Sequence, residues 1–134
     1  MWSCGDYSPD LSEFILRNNN CTGEFSNNYS SNGNYSFKFS GNSWDYFRIV
    51  VNNIDSSKSA FIASADTQSE NSINLSLDVI FTDTTRKNSS VDATGTTTSS
   101  LTVTNDFTKI INYIEFRLSL KKTGNFYTDN ISIT

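Results

Sequence analysis

The sequence predicts an all-β domain, a two-sheet antiparallel β-sandwich or a barrel, and three observations carry that prediction. Aromatic residues are abundant, with 10 Phe, 6 Tyr and 2 Trp against a single Pro, a composition suited to pleated, half-buried surfaces. Asn, Ser, Thr and Asp fill much of the rest, and these side chains compete with helical backbone bonds and start turns instead. Apolar residues recur at every second position in several segments, the period of a strand with one buried face. At 134 residues the chain fits one domain with a core of its own. The expected organisation is an N-terminal arm over residues 1–10 and a single sandwich over residues 11–134.

In chain order, the arm turns at Tyr7-Ser8-Pro9-Asp10, and Phe14-Ile15-Leu16 reads as the first short strand, ended by Asn18-Asn19-Asn20. Residues 22–34 hold little apolar content beyond Phe25 and Tyr29 and read as a polar connection. Residues 35–40 alternate aromatic and polar side chains, the mark of a half-buried strand, and Gly41-Asn42 turns the chain. Over residues 45–51, Phe47, Ile49 and Val51 share one face, and Tyr46, Arg48 and Val50 share the other. After a turn at Asp55-Ser56-Ser57, residues 59–65 form a strand of small residues around Phe61 and Ile62. Residues 73–81 alternate most clearly, with Ile73, Leu75, Leu77, Val79 and Phe81 on one side and Asn74, Ser76, Asp78 and Ile80 on the other. That pattern predicts a central strand.

Residues 82–100 are almost devoid of large apolar side chains and read as a long loop or a pair of weakly paired edge pieces. Leu101 and Val103 restore alternation, and residues 107–111 offer at most one helical turn. A second long strand then turns Ile114, Phe116, Leu118 and Leu120 inward and Tyr113, Glu115, Arg117 and Ser119 outward. Thr123-Gly124-Asn125 turns into the last strand. The predicted core is Phe37, Phe39, Phe47, Ile49, Leu75, Leu77, Val79, Phe81, Phe116, Leu118 and Ile131. Within the last strand, Asp129-Asn130 is a pair that strand interiors usually exclude. A half-buried carboxylate there needs a cation, an Arg or backbone N–H groups, so the strand reads as one that closes a sheet and holds an ion, with a β-bulge cap or a Lys pair for Asp129 as the alternative.

Formal net charge is −4 and no basic run exceeds Lys121-Lys122, so phosphates meet no electrostatic footprint and nucleic acid is not an expected partner. No apolar run is long enough to span a bilayer, so membrane insertion is not expected either. Met1-Trp2-Ser3-Cys4 lacks the basic and apolar regions of a secretory signal. Cys4 and Cys21 make one bridge or none, and spacing alone does not choose. The sequons, such as Asn28-Tyr29-Ser30 and Asn88-Ser89-Ser90, carry no weight in a chain so rich in Asn, Ser and Thr. There is no His, no nucleophile motif, and no two of Asp45, Asp78 and Glu115 marked as a pair across a cleft, so an enzyme is not expected.

Ser31-Asn32-Gly33-Asn34-Tyr35-Ser36-Phe37-Lys38-Phe39-Ser40-Gly41, with the closing Phe126-Tyr127-Thr128-Asp129-Asn130-Ile131-Ser132-Ile133, resembles the carbohydrate-binding modules of the galactose-binding-like jelly-roll superfamily. In that family a G-x-Y-S-L-K-F strand follows the first loop and an F-Y-I-D-N-I-S-L strand ends the domain. The resemblance runs in order along nearly the whole chain on short motifs. It implies a jelly roll, non-catalytic carbohydrate binding or adhesion, and a structural calcium where the first strand, the loop before residues 35–39 and the final strand meet. Asp129 would give carboxylate and backbone oxygen, and Gly33, Asn34 and Lys38 lie where the family supplies backbone carbonyls. The family's acidic residue near the end of the first strand has no counterpart, leaving Asn18, Asn19 and Glu24 as the nearby oxygen donors for an ion that takes about six to eight.

For the ligand, the resemblance implies aromatic stacking on one sheet or its loops, with polar side chains meeting the hydroxyls. Trp44, Tyr46, Arg48, Tyr113, Glu115 and Arg117 are the candidates, with ordinary cross-strand pairing as the alternative reading of each. An extracellular, cell-surface or virion setting is implied, with neighbouring domains or subunits of a larger surface assembly as further partners. The alternatives in function are a viral tail-fibre or appendage domain and a structural spacer of a larger surface protein.

Overall fold

A computed structural model describes residues 2–3, 14–16, 22–26 and 36–134, with side chains from Ser36 onward. Its described residues form nine strands and no helix: β1 (Trp2–Ser3), β2 (Phe14–Leu16), β3 (Thr22–Ser26), β4 (Ser36–Gly41), β5 (Tyr46–Val51), β6 (Ala60–Phe81), β7 (Arg86–Thr104), β8 (Ile111–Leu120) and β9 (Gly124–Ile133). All pair antiparallel in the order β1-β3-β4-β9-β6-β8-β5-β2, with β7 alongside β6.

One strand makes this sheet a sandwich. β6 has 22 residues and would run about 70 Å if straight, several times the radius of gyration of about 14 Å expected for a domain this size. It therefore has to bend. Its first part, residues 63–68, pairs with β9, and its second, residues 73–81, pairs with β8. Its hairpin partner β7 follows it through both. The single sheet thus folds over on itself into two layers, β3-β4-β9-β6-β7 and β2-β5-β8-β6-β7. The curl is visible at the ends of β7, where Lys87 Nζ donates to Thr104 Oγ1 at 2.7 Å across 17 residues of sequence that would span about 56 Å if straight.

The bend sits where Ser69 pairs with Gly95 and Ile73 with Ala93, so Glu70, Asn71 and Ser72 stand against Thr94 alone. That is an excess of two residues, and because side chains alternate with period two, the inward parity of β6 survives the bend. Phe61, Ala63 and Ala65 face the core before it, and Ile73, Leu75, Leu77 and Val79 after it, all buried. Gly95 takes φ +74° in the opposing strand, a left-handed conformation that glycine adopts at no cost.

The two layers are joined by rings. Phe47 of β5 lies 5.3 Å from Phe37, 5.6 Å from Phe39 and 5.9 Å from Phe126, centroid to centroid, so one aromatic from one layer sits among three from the other. Of the predicted core, Phe39, Phe47, Ile49, Leu75, Leu77, Val79, Phe81, Phe116 and Leu118 are buried, while Phe37 and Ile131 are partly buried against the cluster. Ile80, expected to point away from the core, is also buried, at 6% exposure.

Four local expectations differ from the structure. Residues 22–26 are a strand rather than part of a polar connection, and they pair with β4 from Thr22↔Ser40 to Ser26↔Ser36. Residues 59–65 and 73–81 belong to one strand, because the bulge bends β6 without ending it. Residues 82–100 are largely strand, not loop: β7 pairs with β6 alone, so an edge strand with one ladder needs few apolar side chains. Residues 107–111 form no helical turn. There Asp106 Oδ1 accepts the backbone N–H and hydroxyl of Thr108 at 3.0 and 2.6 Å. Asp55 with Ser57, and Asp83 with Thr85, build the same turn. In all three the hydroxyl donor, helped by the backbone N–H, holds the carboxylate below its ordinary pKa. Cys4 and Cys21 lie outside the described residues.

Two substitutions test this packing. Leu77→Ala, at a fully buried position of β6, should cost about 2–5 kcal/mol, and Phe47→Ala about 3–5 kcal/mol. Urea unfolding checks both, and a loss under about 1 kcal/mol at either site would contradict the assigned register.

Candidate functional site

β5, β8 and the second half of β6 lie side by side, and their outward side chains form rows across the strands. Tyr46, Ser119, Asn74 and Asp92 make one row; Arg48, Arg117, Ser76 and Ser90 the next; Val50, Glu115, Asp78 and Asn88 the third; Tyr113, Ile80 and Arg86 the fourth. Five predicted ligand residues, Tyr46, Arg48, Tyr113, Glu115 and Arg117, therefore share this face.

Their packing follows from charge. Arg48 and Arg117 are direct cross-strand partners, an arrangement that like charges disfavour. Glu115 resolves it. Arg48 Nη1 donates to Glu115 Oε2 at 2.9 Å, and Arg117 donates to Oε1 through Nη2 at 2.6 Å and Nε at 2.9 Å. The Glu115 side chain is only 3% exposed, so its charge rests on these charge-assisted bonds and would cost several kcal/mol without them. Arg117 in turn stacks over Tyr46, with its guanidinium carbon 4.3 Å from the ring centroid. Arg48 Nε is buried and has no protein partner.

Asp78 extends the network. It is buried, and its oxygens accept from Asn88 Nδ2 at 2.6 Å and Arg86 Nη1 at 3.4 Å. At the other end, Asn74 Nδ2 and Lys121 Nζ donate to Asp92 at 3.0 and 2.8 Å, and these two bonds, the lysine's first, lower its pKa. Asp78 carries a readable signal in its parity on the strand, whereas Asp92 falls in the stretch read as a loop or edge pieces, and alternation alone does not say which charges meet.

Trp44 sits in the loop that enters β5. Its backbone is tied down: Trp44 N donates to Leu120 O at 2.7 Å, Asp45 N to Asn42 O at 3.0 Å, and Asn42 N to Asp45 Oδ2 at 2.7 Å. It adopts φ 68°, a left-handed conformation that a bulky residue rarely takes and that costs on the order of 1–2 kcal/mol. Even so, 61% of its surface stays in water.

The expected ion site lies on the other layer. Asp129 pairs with Asp66, and Ser132 with Ser64, so β9 carries one extra residue between them: a bulge at Asn130, whose φ is 51°. Asn130 N donates to Asp129 Oδ1 at 2.8 Å and Asn130 Nδ2 to Asp66 Oδ2 at 3.5 Å, while Thr98 Oγ1 donates to Asp66 Oδ1 at 2.7 Å. Lys38 pairs with Tyr127 on one side and Glu24 on the other, and its ammonium lies 5.8 Å from the Tyr127 ring centroid. Gly33, Asn34 and Asn18 lie outside the described residues, as does the side chain of Glu24. Among the described residues no three His, Cys, Asp or Glu side chains gather as a metal cluster would.

The sequence matches no protein-family model and no curated protein. Solved structures do match. The CBM22-1 xylan-binding domain from Paenibacillus barcinonensis Xyn10C aligns over 88% of this chain and 83% of its own, with a TM-score of 0.65 at 8% identity. TmCBM61 in complex with β-1,4-galactotriose aligns over 92% of this chain and 88% of its own, with a TM-score of 0.60 at 14% identity. The enzymatically active domain of bacteriophage CBA120 tailspike protein 4 aligns over 98% of this chain but only 20% of its own, with a TM-score of 0.65 at 12% identity. At such identities the likeness is one of fold, and the fold of this chain is the jelly-roll β-sandwich of carbohydrate-binding modules.

Proposed function

We propose that the protein is a non-catalytic carbohydrate-binding module whose ligand lies on the outer face of β5, β8 and β6, with Trp44 at its edge. The observation that carries this reading is Trp44 itself. Backbone strain at a solvent-exposed aromatic brings no packing return, and such strain collects at ligand clamps. Beside it, the Tyr46 ring and the Arg117 plane offer surfaces for the C–H faces of a sugar, and Asn74, Ser76 and Ser90 offer groups for its hydroxyls. Glu115 is committed to two arginines, so its part is to hold them rather than to meet the ligand. The xylan and galactotriose named for structures of the same fold support a saccharide as the ligand class. A surface or virion setting is part of the same reading, and the tailspike match is the support for its appendage alternative.

The binding test separates function from stability. Trp44→Gly relieves the left-handed strain, so the melting temperature should hold or rise while affinity for a bound oligosaccharide falls about tenfold or more. Tyr46→Ala should weaken binding comparably. Calorimetric titration with each oligosaccharide that the wild-type chain retains checks both, and unchanged affinity in both variants would remove the ligand from this face.

A structural calcium at Asp129 belongs to the same proposal. Its support is the cross-strand pair of carboxylates, Asp129 and Asp66, on one face of the sheet, since adjacent like charges favour a cation between them. Asp129 and Asp66 would hold the ion, with Gly33, Asn34 and Lys38 as the backbone-oxygen donors that the resemblance implies. Calcium at a hundredfold excess over Kd should stabilise the fold by about 2.7 kcal/mol. Chelation should therefore lower the melting temperature, and Asp129→Asn should abolish that shift. A metal-stripped protein indifferent to calcium and chelator alike would leave Asp129 as a bulge residue only.

A further inference from the structure

The bend in the β6–β7 hairpin opens a cleft that the proposed ligand face does not use. It encloses about 620 Å³ and is lined by Gln68, Glu70, Thr94, Thr96, Asn125 and Tyr127, together with Ser69 and Gly95. That volume lies within the roughly 300–1,000 Å³ of ligand clefts. Across it runs a cross-strand row, Tyr127, Gln68 and Thr96, carried by β9, β6 and β7. The proposed ligand face lies on the opposite layer, on β5, β8 and the far half of β6.

The geometry of the bend makes the space. Because Glu70, Asn71 and Ser72 bulge out against Thr94 alone, Glu70 is thrown to the surface on one wall while Thr94 and Thr96 form the other. Gly95 turns between them in its left-handed conformation, and a Cβ built there meets no atom within 4 Å. No neighbour's packing therefore crowds the wall at this point.

The lining decides the ligand class. A tyrosine ring, two carboxamides, one carboxylate and two threonine hydroxyls surround the space, with no large aliphatic side chain among them. An apolar ligand would find no apolar wall, and an anion would meet Glu70. A neutral polyhydroxylated ring matches, with C–H groups on the Tyr127 ring and vicinal hydroxyls on the planar groups of Gln68, Asn125 and Glu70. The Lys38 ammonium lies 5.8 Å from the Tyr127 centroid.

We infer that this cleft is a second binding site, for a neutral oligosaccharide, which makes the module bivalent; the inference rests on the carbohydrate-binding reading above. Two sites on opposite layers would let one domain bridge two chains of a polysaccharide or gain avidity on one surface.

The test uses the full chain on an array of neutral plant and microbial oligosaccharides, in four forms: wild type, Trp44→Gly/Tyr46→Ala, and that double variant with either Gln68→Ala or Thr96→Trp added. Thr96 is exposed on the edge strand, so Thr96→Trp fills the cleft without entering the core, and circular dichroism confirms that each form is folded. The inference expects the double variant to keep a subset of the wild-type signals and each added change to weaken that subset at least tenfold. A double variant silent on every sugar the wild type binds overturns the second site while leaving the first. Retained signals that ignore both added changes also overturn it. A wild-type chain that binds no sugar overturns both readings.

Discussion

A strand that is too long for its domain is the constraint on which the rest depends. β6 carries apolar residues at every second position on both sides of residues 69–73, so both halves must bury the same face. A straight β6 would bury neither half well. The bulge, with its excess of two residues, folds the sheet while keeping parity, and it sends one half to pair with β9 and the other with β8. The aromatic cluster of Phe37, Phe39, Phe47 and Phe126 then closes the space between layers, burying large rings whose edges and faces meet at favourable separations. The outward rows on either layer, and the cleft at the bend, are the other side of the same arrangement.

The proposed ligand face is polar, yet several of its charges are buried, and that combination fixes its shape. Glu115 and Asp78 are cross-strand neighbours with exposures of 2% and 4%; Glu115 is satisfied by Arg48 of β5 and Arg117 of its own strand, and Asp78 by Asn88 and Arg86 of β7. Removing the donors would leave a buried carboxylate uncompensated, which costs more than the pair contributes. The arginines are therefore held in place before any ligand arrives. At the proposed site, Arg117 already stacked over Tyr46 would lower the ordering cost of binding, where an unrestrained arginine loses rotamer freedom of about 0.5–1.5 kcal/mol.

Much of this was legible in the sequence, because strands with one buried face write their period into it. Residues 73–81 and 114–120 announce their faces residue by residue, and the outward set of Tyr46, Arg48, Tyr113, Glu115 and Arg117 follows from parity alone. β7 was not legible as a whole. Its residues 94–100 are almost all Thr, Ser and Gly, since a strand with a single neighbour and a wet outer face needs little apolar content, and the same residues also compose loops. The continuity of β6 was hidden by residues 66–72, which lack the apolar alternation on either side of them and contain the bulge. Nor does any pattern reveal that Glu115 is spent on two arginines, because the pairing depends on how β5 and β8 align. The Asp129-Asn130 signal was sound as a marker of irregularity: the bulge is there, with Asn130 in the left-handed region.

The most direct test of the proposed ligand face is an amide and side-chain NMR titration of the full chain with an oligosaccharide that it retains. Shift changes should concentrate on the Trp44 indole N–H, on Tyr46, and on the guanidinium of Arg117, with amides of the buried core face unmoved. Saturable binding accompanied by shifts that leave Trp44, Tyr46, Arg48, Tyr113 and Arg117 untouched would contradict the assignment.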